Sequence, residues 1–125
     1  MRHPQILTYD TDGRLASWLR PVAEAHRWSL REPRRVESFL RLLARRGPAI
    51  VVIRAGRDLE REFSLLERIA WLHPEAAVVI VVEAAELRGP AWDLGASFVV
   101  SAQLARERLP EVVEALLEGQ CDAGR

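Results

Sequence analysis

The sequence predicts an α/β domain in which helices cover both faces of a parallel sheet. Short apolar runs alternate with longer stretches in which apolar residues recur at helical spacing. Two of the runs, at 49–53 and 77–82, are apolar throughout, which is typical of parallel strands buried on both faces. The chain has 125 residues, enough for one domain with a proper hydrophobic core.

Five apolar runs predict the strands of this sheet. The first ends at Asp10, the second is short and weak, and the fourth is the most apolar stretch of the chain. The strands are expected, in chain order, at residues 5–9, 28–31, 49–53, 77–82 and 97–100.

A stretch of helical period follows each strand. Pro21 interrupts the first, so we expect this helix to be kinked or split. Gly47-Pro48 is expected to end the second helix, and Asp58 to cap the start of the third. Gly89-Pro90 interrupts the fourth, which should therefore be short.

The fifth helix completes the domain. Its leucine and valine residues form one apolar face, and Gly119 is expected to end it. Residues 1–119 are thus expected to form a single domain, followed by a polar tail at 120–125. Five strands alternating with five helices predict right-handed crossovers in a three-layer αβα architecture. For this length and rhythm we expect the flavodoxin-like strand order 2-1-3-4-5.

Composition excludes several classes of function. The formal net charge is zero, so net charge favours neither a nucleic acid nor a membrane as partner. The chain contains no lysine, which excludes Schiff-base chemistry and a lysine on a bound phosphate. Cys121 is the only cysteine, so neither a disulfide framework nor a zinc-binding cysteine spacing is present. The first residues lack the apolar region of a signal peptide or membrane anchor, which favours a cytoplasmic setting.

The pattern resembles bacterial response-regulator receiver domains over essentially the whole chain. The resemblance lies in spacing and apolar pattern more than in identities. Its segments correspond to the first, third, fourth and fifth strands of a receiver, at residues 6–12, 48–54, 74–84 and 95–100. Leu109 and the Val112-Val113 pair then resemble the final receiver helix.

The resemblance implies that the phosphorylation chemistry has been lost. The paired acids that hold magnesium in the family fall on Asp10 and Thr11, and the phosphoacceptor position carries Arg54. The conserved hydroxyl falls on Glu83, and the conserved lysine on Ala102. A receiver of this kind is expected to be a phosphorylation-independent protein-interaction module in bacterial signalling or gene regulation. It would be non-enzymatic and would need neither cofactor nor metal.

Arg54 allows two interpretations. A guanidinium is permanently charged and donates only, so it cannot accept a phosphoryl group. It could pair with Asp10 at the carboxyl edge of the sheet, since the first and third strands are neighbours in the expected order. Alternatively, it could point into solvent.

Asp10-Thr11-Asp12-Gly13 also imitates the first motif of haloacid-dehalogenase-like phosphatases. In that alternative Asp10 would be the nucleophile and Asp12 the acid/base of a small phosphatase-like or phosphate-binding enzyme. Arg14 stands where that motif has threonine, and no late acidic pair follows an apolar strand.

Surface residues give three further predictions. The last helices could form a protein interface or a homodimer, with Trp92 as anchor; the alternative is that Trp92 covers its own core. The charged residues expected beside it are Arg106, Arg108, Glu111 and Glu114. The acids of the third helix are predicted to form a solvated face; they are Glu60, Glu62 and Glu67. The arginines of the second helix could contact nucleic acid. This is a third interpretation of function, beside the protein-interaction module and the phosphatase-like enzyme.

Overall fold

The strands lie close to their predicted positions. The computed structural model describes residues 4–45 and 49–123, with side chains in the last helix as far as Gly119. Within these residues the sheet has five strands: β1 (Gln5–Tyr9), β2 (Ser29–Arg31), β3 (Ala49–Ala55), β4 (Ala77–Val82) and β5 (Phe98–Ser101). β3 continues two residues beyond its predicted end, because its last residues still pair with β4. Arg54 therefore lies inside the strand.

The strand order is β2-β1-β3-β4-β5, and every pairing is parallel. This confirms the predicted order 2-1-3-4-5. Tyr9 pairs with Ile53, and Ala55 pairs with Val82. Parallel strands end at the same edge of a sheet, so the residues that follow β1, β3 and β4 are neighbours there.

Helices cover both faces of the sheet, as predicted. They are α1 (Arg14–His26), α2 (Val36–Leu43), α3 (Leu59–Leu72), α4 (Arg88–Asp93) and α5 (Ala105–Ala123), with a 3₁₀ turn at Ala85–Leu87. One hydrophobic core joins α1 and α5 to the sheet, and a second joins α2, α3 and α4 to its other face. β4 is buried at every position, as a central parallel strand should be.

The prolines affect the helices differently. Pro21 does not split α1, which runs through it without interruption. The predicted split is wrong: Pro21 lies on the exposed face, while Leu19 and Ala23 on either side remain buried. Pro90 is the third residue of α4, where a helix needs no amide donor, and this helix is short as expected.

The helix ends confirm one expectation and correct another. Asp58 caps α3 by accepting a hydrogen bond from the Arg61 amide at 3.3 Å, as predicted. Gly119 does not end α5, which continues to Ala123 because a glycine within a helix costs only about 1 kcal/mol relative to alanine. The predicted stop at Gly47-Pro48 lies outside the described residues. No helix among the described residues is both long and apolar enough to cross a membrane.

Candidate functional site at the carboxyl edge of the sheet

Arg54 is the centre of an ion-pair cluster at the carboxyl edge of the sheet. Its side chain is only 12% exposed. Nε donates to Oε1 of Glu83 at 2.5 Å, and Nη1 donates to Oδ2 of Asp12 at 3.1 Å. The arginine therefore lies across this edge and joins the loop after β1 to the end of β4. The interpretation in which it points into solvent is wrong.

The surroundings of Arg54 keep it charged. Burial by itself would lower the pKa of the guanidinium, but the hydrogen bond from Arg54 to Glu83 and the Glu83 charge oppose this, as do the charges of Asp12 and Asp10. Together these acids raise the pKa of Arg54 above its ordinary value. A permanent cation thus lies among three carboxylates.

Asp12 is the most heavily paired acid of the cluster. It accepts a hydrogen bond from the Arg14 amide at 3.2 Å, and its Oδ2 lies 3.4 Å from Nε of Arg14 and 3.7 Å from Nη2 of Arg57. Partial burial raises the pKa of Asp12, but the Arg14 amide and the charges of Arg54 and Arg14 outweigh it and lower the pKa below its usual value. The Asp12 carboxylate is therefore held ionised, with arginine side chains around it.

Asp10 has a different role from the one predicted. Its Oδ1 accepts from the Gly13 amide at 3.1 Å, and its Oδ2 accepts from the Leu15 amide at 3.0 Å. These bonds satisfy backbone donors at the start of α1, which lack partners within the helix. The predicted Arg54–Asp10 ion pair is wrong. The Gly13 and Leu15 amides orient the Asp10 carboxylate towards α1, and the guanidinium of Arg54 pairs with Asp12 instead.

Glu83 reaches Arg54 across a glycine. Its amide donates to the Ala55 carbonyl at 3.1 Å, which fixes the backbone at the end of β4 beside β3. A Cβ atom added at Gly56 would lie only 2.2 Å from Cγ of Glu83. The absence of a side chain at Gly56 therefore makes room for the Glu83 side chain.

Glu62 supports the loop that contains Gly56. The sequence did not predict this role. Its side chain is buried, with 4% of the residue exposed, and Oε1 accepts from the Gly56 amide at 2.9 Å. The prediction that it belongs to a solvated face is wrong. A signal was present, since Glu62 precedes buried Leu66 and Ile69 by four and seven residues on one face of α3. The other two acids of this helix are exposed, as predicted: Glu60 and Glu67.

Two of the predicted positions bring no charge to the cluster. Thr11 is exposed in the loop between β1 and α1. Ala102 follows β5, and its amide donates to the Val82 carbonyl at 2.9 Å. The structure thus brings together Asp12, Arg54 and Glu83, with Asp10 alongside.

Comparison with known proteins identifies the architecture. At the sequence level, the chain matches neither a known protein-family profile nor a curated protein. It is similar in structure to a CheY-like response regulator receiver domain protein from Methanospirillum hungatei JF-1, with a TM-score of 0.76 and 17% identity over 98% of this chain and 99% of that chain. The chain has the receiver fold.

Similar receiver folds occur alone and within longer proteins. The receiver domain of NtrX from Brucella abortus has a TM-score of 0.72 and 24% identity, over 90% of this chain and 98% of that chain. The structure of NtrX from Brucella abortus in complex with ADP has a TM-score of 0.74 and 22% sequence identity over 95% of this chain. This chain spans only 27% of that NtrX chain.

Trp92 and Arg108 lie near Phe98, whereas Glu114, another predicted interface residue, lies beside α1. Trp92 is half exposed and packs edge-on against Phe98, with ring centroids 6.3 Å apart. Arg108 lines a groove of about 220 Å³ beside Phe98 and Leu104. Glu114 instead contacts His26 of α1, so its side chain is directed towards α1 and not towards Trp92.

Proposed function

We propose that this chain is a receiver-fold regulatory module that acts through protein–protein contact and does not depend on phosphorylation. The observation that supports this most strongly is the pairing of Arg54 with Asp12 and Glu83. In the receiver resemblance, position 54 is that of the phosphoacceptor aspartate. The guanidinium supplies a fixed positive charge at this position and offers no nucleophilic oxygen.

Other positions support the same proposal. Phosphoryl transfer to aspartate requires a divalent cation held by oxygens and a cation on the phosphate. Thr11 replaces the second acid of the family pattern, and Ala102 replaces its lysine. Of the remaining acids, Asp12 pairs with Arg54, and Asp10 accepts a backbone amide at the start of α1. The proposed setting is cytoplasmic signalling or gene regulation in a bacterium.

The experiment that tests this restores the nucleophile. We expect that Arg54→Asp, incubated with acetyl phosphate and Mg²⁺, acquires no phosphoryl group, because the second acid and the lysine of the pattern are still missing. Intact-mass spectrometry measures the adduct. Circular dichroism verifies that the variant is folded.

Arg57→Asp is the matched control, since Arg57 also lies near Asp12 but its side chain is 57% exposed. An adduct on Arg54→Asp, but on neither Arg57→Asp nor the wild-type chain, would mean that only the nucleophile was lost. The proposal of a degenerate site would then fail. An adduct on the wild-type chain would contradict phosphorylation-independence itself.

The phosphatase-like alternative has less support. A nucleophilic Asp10 would have to turn away from α1, because both its oxygens accept backbone amides there. Asp12, the proposed acid/base, is surrounded by Arg14, Arg54 and Arg57. A carboxylate whose pKa is lowered in this way is a poor proton donor near neutral pH.

The surface around Trp92 is the proposed site of protein contact. Trp92, Phe98 and Leu104 are all exposed at 36% or more and lie on α4, β5 and the loop before α5. Large apolar side chains grouped at a surface mark interaction sites, and Trp is a preferred anchor. Arg88 and Arg108 border the groove beside them. We propose a second copy of the chain as the occupant, packed on this face.

Trp92→Ala is expected to weaken self-association at least tenfold, because an aromatic anchor carries much of the binding energy of an interface. Sedimentation velocity across a range of protein concentrations measures the change. Trp71→Ala is the control, since Trp71 is 82% exposed on α3. A wild-type chain that stays monomeric, or a loss caused by Trp71→Ala alone, would contradict a dimer through this face.

A further inference from the structure

A second group of chemically active side chains lies away from the carboxyl edge, where the end of α1 meets α5. His26 is the last residue of α1, and Glu114 and Glu118 lie one turn apart on α5. One potential ligand atom from each lies within 4.8 Å of the others. No other group of three such side chains in the described ranges meets this condition.

The imidazole of His26 is held in position from the side of α1. Arg27 ends this helix in the left-handed conformation, with φ of 59°, and the Trp28 amide donates to the Ala23 carbonyl at 2.8 Å. This turn stacks the Trp28 ring on the His26 ring, with centroids 4.1 Å apart and planes 10° from parallel. Nε2 of His26 then faces Oε2 of Glu114 at 2.9 Å.

The two carboxylates are presented by a well-anchored helix. Residues four apart lie on one face of a helix, so Glu114 and Glu118 point the same way. Their neighbours Val113 and Leu117 are fully buried against the sheet. The helix thus sets the spacing of the pair, and the packing of α5 fixes its orientation.

Neither carboxylate is neutralised by an arginine within the described residues, although the chain contains 18 arginines. Glu114 is hydrogen-bonded to His26, and Glu118 has neither an ion pair nor a hydrogen bond to a described side chain. Asp12, in contrast, lies near three guanidinium groups. The cluster at α5 thus combines one imidazole with two carboxylates that can take a cation.

We propose that His26, Glu114 and Glu118 bind a divalent transition-metal ion of the Zn²⁺ type, a role separate from the proposed protein contact. An imidazole with carboxylates suits Zn²⁺ or Co²⁺, whereas Mg²⁺ prefers oxygen ligands alone. Metal–ligand distances of about 2.0–2.2 Å place tetrahedral ligand atoms about 3.4 Å apart. His26 and Glu114 lie 2.9 Å apart, and no pair of the three ligand atoms is more than 4.8 Å apart, so side-chain rotations can bring them to this spacing.

Such an ion would connect two elements that are distant in sequence. α1 and α5 pack on the same face of the sheet. A metal bound between them fixes the end of α1 against the C-terminal half of α5. Binding to the folded state alone also stabilises the fold.

The test is a titration of the full chain with Zn²⁺, read by calorimetry and by thermal unfolding. We expect saturable binding, and a rise of about 5 °C in the unfolding midpoint when free Zn²⁺ is about ten times its Kd. Mg²⁺ at the same concentration should leave the midpoint unchanged. His26→Gln and Glu118→Gln should each weaken Zn²⁺ binding at least tenfold.

Two controls separate this site from other sources of zinc affinity. His73 and Glu75 form a similar pair at 3.3 Å with no third ligand among the side chains that the structure describes, so His73→Gln should bind Zn²⁺ like the wild type. Cys121→Ser should also bind normally, and bound Co²⁺ should show no thiolate charge-transfer band. Undiminished binding in His26→Gln and Glu118→Gln, loss of binding in either control, or no binding to the wild type at about 1 mM Zn²⁺ would each overturn the proposal.

Discussion

Arg54→Met is expected to lower the free energy of unfolding by about 2 kcal/mol at neutral pH. Methionine keeps an unbranched stem of similar length, so the substitution removes mainly the charge. Asp12 and Glu83 then lose their shared cation and repel each other. Their side chains are 25% and 36% exposed, so water replaces part of the lost interaction. The expected loss is therefore smaller than the roughly 3–5 kcal/mol for breaking a fully buried pair.

Urea unfolding at pH 7 measures this loss. Arg57→Met is the matched control, because Arg57 lies 3.7 Å from the same Asp12 oxygen but its side chain is 57% exposed. We expect the control to change stability by less than about 0.5 kcal/mol. Equal effects of the two substitutions would mean that the cluster behaves as ordinary surface charge.

The Arg54→Met effect should also depend on pH. The pKa of Asp12 is lower in the folded chain than its usual value. Its contribution to stability is thus present above an ordinary aspartate pKa of about 4 and is lost as the pH falls through the lowered value. The difference between Arg54→Met and the wild type should therefore shrink below about pH 4.

Glu62→Ala is expected to cost about 2 kcal/mol, the second-largest effect. The substitution removes the acceptor of the Gly56 amide and leaves a gap beneath the loop between β3 and α3. Since Glu62 is 4% exposed, water does not readily replace it. The loop would then hold Gly56, and with it the Glu83 side chain, less firmly.

Urea unfolding measures this effect as well, and the same helix supplies its controls. Glu60→Ala and Glu67→Ala remove exposed acids and should change stability by less than about 0.5 kcal/mol. Glu62→Gln keeps an acceptor oxygen and should recover much of the lost stability. If Glu62→Ala leaves the free energy of unfolding unchanged, the hydrogen bond from the Gly56 amide to Glu62 does not support the loop.

The cluster around Arg54 bears on how the proposed module would be regulated. A phosphorylated receiver gains its charge at one edge of the sheet by a reversible reaction. Here the arginine and its acids are covalent parts of the chain, so their charges do not depend on a phosphodonor. On the proposed function, protein contact at the surface of Trp92, Phe98 and Leu104 would therefore not require a phosphodonor.

The sequence predicted the sheet better than the helix ends. Apolar runs such as 77–82 specify a buried strand by themselves, because every position must exclude water. The predictions of a split at Pro21 and of a helix end at Gly119 were wrong, because a helix continues wherever packing elsewhere outweighs a local penalty. Glu62 shows the converse case, in which helical spacing indicated burial but residue type suggested solvent.

The sequence by itself determined the receiver fold, its strand order, and the arginine near the end of the third strand. These follow from the period of the apolar residues and from the identity of residue 54. Only the tertiary structure decided that Arg54 pairs with Asp12 and Glu83, and that Asp10 caps α1. Partner choice depends on side-chain directions within a few ångströms, set by amide donors at a helix start and by space over Gly56. Spacing along the chain does not specify such directions.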